Sequence, residues 1–107
     1  MPPHLQRAQM LLQQGRHADA ERELGLAMAQ DPDDAWTHAL LGVCLLNSKK
    51  FEEASARGRQ AVRLAPDSAD IRHLVGRIER DRNKLDDAER LFSEAIALNP
   101  YDPRYFA

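Results

Sequence analysis

Apolar residues recur along this chain at helical spacing. Leu5, Ala8, Leu11 and Leu12 fall on one stripe of a helix predicted over about residues 4–14, and Ala20, Leu24, Ala27 and Met28 do the same over about 17–30. Gly15 stands between the two as a helix-ending glycine. Pro32 stops the second helix, because proline cannot extend the hydrogen-bond ladder. Shifting the frame by 34 residues brings the same landmarks back: Ala20, Ala54 and Ala88; Ala27, Ala61 and Ala95; Pro32, Pro66 and Pro100. Three columns of identical residues at one lag predict an internal repeat.

Two alanines seven residues apart lie on one helix face, where their small side chains let a neighbouring helix approach closely. Gly42 and Gly76, with Ala8 in the equivalent place, supply the matching small residue on the first helix of each pair. Each unit is therefore an antiparallel helix hairpin that cannot bury its apolar face alone and must stack on the next. Asp34, Ser68 and Asp102 stand where a side chain can accept from the free amides opening the next helix. Pro103 follows Asp102 as a well-tolerated first helical residue, so a fourth helix is expected to start there. Arg16, Lys50 and Lys84 place a cation at the end of each first helix, and Asp19, Glu53 and Asp87 an anion in the opening turn of each second one. Both signs suit the helix dipoles, and these charges read as solvated helix ends.

A 34-residue period with Trp, Leu, Gly, Tyr, Ala, Phe, Ala and Pro at repeat positions 4, 7, 8, 11, 20, 24, 27 and 32 resembles the tetratricopeptide repeat. The middle unit, 35–68, offers Leu41, Gly42, Leu45, Ala54, Ala61 and Pro66, departing with His38 and Gly58. The last, 69–102, offers Val75, Gly76, Ala88, Phe92, Ala95 and Pro100, departing with Arg72 and Glu79. The first, 1–34, is the most degenerate, with His4, Arg7, Ala8 and Leu11 before Ala20, Leu24, Ala27 and Pro32. The resemblance covers about residues 2–102. It implies a single all-α domain over 1–107: a right-handed superhelical solenoid of three antiparallel hairpins, with 103–107 beginning a truncated further repeat or capping helix. Because such arrays normally end on a helix with a polar outer face, the chain is expected to be a piece of a longer protein.

Composition narrows the function classes. The 107 residues suit one domain, and three repeats are about the minimum that holds together. Hydrophobic content of 43% with 30% charged residues fits a folded globular chain. No apolar run approaches the roughly 20 residues of a membrane helix and no signal-peptide pattern opens the chain, so a cytoplasmic location is the default expectation. A net charge of −2 argues against nucleic acid as partner, RNA included. The single cysteine, Cys44, has no internal disulfide partner and reads as a buried thiol.

No convergent chemistry is visible, and the chain is read as a non-enzyme without cofactor or metal. His4, His17, His38 and His73 include no pair at i, i+4, and there is no phosphate loop or nucleophile elbow. They read as satisfied core or surface histidines. Gly58, at a position where the family carries a large residue, reads as a packing feature: a bulky neighbour such as Phe51 or Trp36 fills the space, or the hairpin closes more tightly.

The resemblance places function on the concave surface, lined by first helices through repeat positions 2, 5, 9, 12 and 13. In this chain those are Leu5, Gln9, Leu12 and Gln13; Trp36, Ala39, Val43, Leu46 and Asn47; and Asp70, His73, Arg77, Arg80 and Asp81. Such a groove is apolar for two repeats and charged in the third. It suits an amphipathic helix or extended peptide with apolar anchors and an acidic end, which makes the chain a protein–protein interaction scaffold. Trp36 is either a partner anchor or a lid over Gly58. Arg77 and Arg80 either meet a partner or pair with Asp70, Asp81 or Glu79 on their own helix. Related domains hold a chaperone's acidic C-terminal carboxylate with Lys, Asn, Asn, Lys and Arg. This chain has Leu5, Gln9, Leu40, Asp70 and Leu74 at those positions, so the clamp is missing. An alternative role is self-association as a homodimer through the last hairpin, where Leu91, Phe92, Ile96 and Leu98, followed by Tyr101, Tyr105 and Phe106, leave an apolar face uncovered.

Overall fold

Each helix boundary is set by chemistry close to it in sequence. The structure, a computed structural model, describes residues 3–102 and holds six helices there: α1 (Pro3–Gln13), α2 (His17–Gln30), α3 (Ala35–Asn47), α4 (Phe51–Leu64), α5 (Ala69–Asp81) and α6 (Leu85–Leu98). No strand occurs among the described residues. Asp34 caps α3 by accepting from the Trp36 amide at 2.9 Å, and Ser68 caps α5 by accepting from the Ile71 amide at 3.2 Å. The fourth helix expected at Pro103 lies outside the described residues.

The three turns inside the hairpins are copies of one another. Gly15, Lys49 and Asn83 all take left-handed backbone, with φ of 76°, 62° and 66°. The amides of Arg16, Lys50 and Lys84 then donate back to the carbonyls of Leu11, Leu45 and Glu79 at 2.8–2.9 Å, which satisfies the last turn of each first helix. Only the first turn uses glycine, so the other two hold side chains in a region that costs about 1–2 kcal/mol.

Hairpins α1–α2, α3–α4 and α5–α6 stack in order, and the first helices also pack on one another, α1 on α3 and α3 on α5. The result is an all-α helical-repeat solenoid measuring 33 × 27 × 25 Å. Both alanine columns are interior, with Ala20, Ala54, Ala61 and Ala95 fully buried. A Cβ on Gly42 would stand 3.0 Å from Ile78 Cδ1 and 3.2 Å from the Ala54 carbonyl oxygen, which is the close approach that the small residues permit. The space beside Gly58 is filled by neither Phe51 nor Trp36. Val75 of the next hairpin fills it, its Cγ1 2.8 Å from where a Cβ would be, while Phe51 is 42% exposed.

Two apolar clusters form. One joins Leu5, Ala8, Ala20, Leu24, Ala27, Leu40 and Cys44; the other joins Ala35, Ala39, Ala61, Ile71, Val75 and Leu91. Trp36 and Leu74 pack against both.

The positions that depart from the family pattern are tied by polar bonds instead. His38 Nε2 donates to the Pro32 carbonyl at 2.8 Å while its Nδ1 accepts from Arg57 at 3.1 Å. One repeat later, Arg72 donates twice to the Pro66 carbonyl, at 3.1 and 2.9 Å. Where the family has a tyrosine, buried Glu79 accepts from the Ser55 hydroxyl at 2.6 Å. Near the start of the chain, His4 Nδ1 lies 2.7 Å from Glu23, and with Arg7 it holds that carboxyl below its ordinary range.

Candidate functional site

Because α1 packs on α3 and α3 on α5, equal repeat positions of the first helices come side by side on one face of the stack. Gln9, Val43 and Arg77 form one such column at successive 34-residue steps, and Trp36 and Asp70 belong to another. The hollow they enclose has a volume of about 440 Å³ and is lined by Gln9, Leu12 and Gln13 of α1, Trp36, Leu40 and Val43 of α3, and Asp70, His73, Leu74 and Arg77 of α5. Five of these are apolar and lie together; the titratable side chains all come from α5.

Of the residues that the resemblance placed on this surface, Gln9, Leu12, Gln13, Trp36, Val43, Asp70, His73 and Arg77 come together in the hollow. Leu5 and Ala39 do not. They are 1% and 0% exposed, turned into the two clusters by the helices packed on them, whereas His73, at the same repeat position in the last unit, lines the hollow. Leu46, Asn47 and Arg80 lie further along their helices, outside the lining. Asn47 Nδ2 donates to the Val43 carbonyl at 3.1 Å, and Arg80 lies 3.5 Å from Asp81. Leu40 and Leu74 belong to the lining although the residue pattern marked them only as lacking a charge. Their signal was present, since they share one repeat position and so had to stack.

Trp36 is half-buried and touches both clusters, so its body is structural while one side faces the hollow. The His73 ring stands 5.4 Å from the Phe92 ring, tilted at 51°, which backs the charged end of the hollow with α6. Cys44 is buried, and loss of solvation, with the Glu21 carboxylate adding to it, pushes its thiol up to about 11. No group of three or more metal-ligating side chains occurs among the described residues.

The last hairpin divides in the same way. Leu91 is interior and Phe92 closes over Gly76, so neither is a free surface. Ile96 and Leu98 are each 42% exposed and Tyr101 is 88% exposed; Tyr105 and Phe106 lie outside the described residues.

The tetratricopeptide repeat family matches the chain over residues 11–78, and the chain belongs to that family. No curated protein sequence matches it. Among solved structures, the second tetratricopeptide domain of Spaghetti (RPAP3), bound to the HSP90 peptide SRMEEVD, is similar over 90% of this chain and 89% of its own, with TM-score 0.73 and 22% identity. A chain of the Naa15/Naa10 complex bound to HypK-THB is similar with TM-score 0.85 and 18% identity, over 92% of this chain and 15% of its own. MamA from Desulfovibrio magneticus RS-1 is similar with TM-score 0.75 and 21% identity, over 91% of this chain and 55% of its own. These likenesses are of fold. No described helix is long and apolar enough to cross a membrane.

Proposed function

We propose that this chain is a protein-interaction module that holds a segment of a partner protein in the hollow formed by α1, α3 and α5. The observation that carries this reading is the convergence of Leu12, Trp36, Leu40, Val43 and Leu74 beside an edge bearing Asp70, His73 and Arg77. Apolar anchors of a helix or an extended peptide suit the first part, and an acidic residue placed against Arg77 suits the second. The RPAP3 domain, solved with an HSP90 peptide, supports peptide capture by this architecture. The ligand here differs in kind. Leu40, Leu74 and Asp70 stand where the family's carboxylate clamp has polar or cationic side chains, so a free acidic C-terminus finds a carboxylate instead of a cation.

The test uses Arg77→Glu, which lies exposed and belongs to neither cluster, beside Trp36→Ala. Both should abolish capture of the partner while helical circular dichroism persists; unchanged capture by Arg77→Glu would rule the hollow out. Trp36 is the only tryptophan, so its emission reports occupancy directly.

A second reading is self-association through Ile96, Leu98 and Tyr101, favoured by their exposure at the end of the stack. Light scattering across a range of concentration should then give a dimer that Tyr101→Glu dissolves. A monomer throughout removes this reading.

A further inference from the structure

α5 presents two opposite stripes. At about 100° per residue, Asp70, His73, Leu74 and Arg77 fall on one side and Arg72, Val75 and Glu79 on the other. The second stripe is the floor of a crevice between α4 and α6 with a volume of about 480 Å³. Six cations line it, Arg59, Arg63, Arg72, Arg82, Lys84 and Arg90, against four carboxylates, an excess of two positive charges in a chain whose net charge is −2.

The carboxylates are already engaged within the crevice. Glu94 lies 3.3 Å from Arg72, Glu52 2.9 Å from Arg82 and Asp87 3.6 Å from Arg90. Buried Glu79 accepts from Ser55 and lies 3.9 Å from Arg82, which also bonds Ser55. Arg63 holds only the neutral Gln60 side chain, at 2.6 and 3.2 Å, and Arg59 and Lys84 have no carboxylate partner among the described residues. Arg82 is buried to 11% side-chain exposure, and its Nε has no acceptor. A buried donor without an acceptor is costly.

The matching crevice one repeat earlier, between α2 and α4, lacks this set. It carries Leu45 where the other has Glu79, Ser48 is the counterpart of Arg82, and its lining holds Lys50, Arg57 and the shared Arg63 together with Glu21 and Glu53. The polar network therefore belongs to one crevice rather than to the fold.

We propose that the α4–α6 crevice is a second docking surface, which takes an acidic amphipathic segment of a partner polypeptide. Val62, Val75 and Leu91 line the crevice as apolar floor, and Arg59, Arg63 and Lys84 meet the carboxylates. A polypeptide fits better than a nucleic acid, because Glu52 and Glu94 on the rim repel a continuous phosphate backbone, while an acidic helix can turn apolar residues to the floor. This surface does not depend on the inner hollow.

Fluorescence anisotropy decides it, using the intact chain and three labelled probes: a helical peptide with Leu at i, i+3, i+4 and i+7 and Glu elsewhere, its Lys-for-Glu counterpart, and single-stranded oligouridine. The Glu peptide should bind and weaken with added salt. Arg59→Glu with Arg63→Glu should raise its Kd at least about tenfold, and Arg59→Gln with Arg63→Gln by a smaller factor. Arg22→Glu, whose exposed side chain lines neither the hollow nor the crevice, should leave it within about twofold, since distant sites act independently. The proposal is overturned if the Glu peptide fails to bind or ignores the Arg59 and Arg63 changes. It is equally overturned if the Lys peptide or oligouridine binds in its place, or if Arg22→Glu abolishes binding.

Discussion

Gly25 and Gly76 lie on helices and should respond to alanine with opposite sign. Nothing stands within 4 Å of a Cβ built on Gly25, whereas one on Gly76 would lie 2.7 and 2.9 Å from ring carbons of Phe92. Gly25→Ala should therefore stabilise by about 0.5–1 kcal/mol through helix propensity alone. Gly76→Ala should destabilise, because overpacking of about 1–3 kcal/mol outweighs that gain. Thermal unfolding followed by circular dichroism separates the two signs. Cys44 provides a second residue-level check. Its folded thiol sits near 11 against an ordinary 9.0, so the folded state keeps the proton longer than the unfolded chain. Its contribution to stability is full below pH 9 and is lost as pH rises through 11, which urea titrations across that interval should register. The thiol should also resist an aromatic disulfide reagent in the native state at neutral pH. Burial of Cys44 was legible in the residue pattern. That Val75 fills the space beside Gly58 was not, because Val75 comes from the next hairpin.

At the scale of the helices and turns, almost everything was readable in advance, because the forces act over a few residues. Caps at Asp34 and Ser68 and proline stops at Pro32 and Pro66 each work within their own turn. Three identical left-handed turns carry an untapped gain. Lys49→Gly removes a side chain from φ 62° and should stabilise by about 1 kcal/mol, with Asn83→Gly giving less because asparagine tolerates that region. Gly15→Ala should destabilise by a comparable amount. Denaturant midpoints should move in those directions with an unchanged slope. The polar ties were not legible. Glu79 and Arg72 mark where the pattern breaks, but Ser55, Glu94 and the Pro66 carbonyl, which complete the bonds, are known only once the hairpins are stacked.

For the whole molecule, the decisive fact is that Trp36 and Leu74 pack against both apolar clusters. The clusters should then unfold together, so emission of the single tryptophan and far-ultraviolet circular dichroism should trace one coincident transition. Ile71, fully buried in the second cluster, gives the matching perturbation. Ile71→Ala should cost about 2–5 kcal/mol and shift both probes equally. A tryptophan signal that lagged behind the circular dichroism would mean that the hairpins unfold one at a time.

By itself the sequence determined the helices, their turns, the 34-residue unit and the columns of small residues, since each depends on local backbone chemistry or on a face that any stacking must bury. Tertiary packing alone decided which residues of the first helices remain open. Packing against the neighbouring hairpins buries Leu5 and Ala39, whereas Leu74 and the largely buried Leu40 line the hollow. The same packing gathered Arg59, Arg63, Arg82 and Lys84 into one crevice from places in the chain that share no pattern.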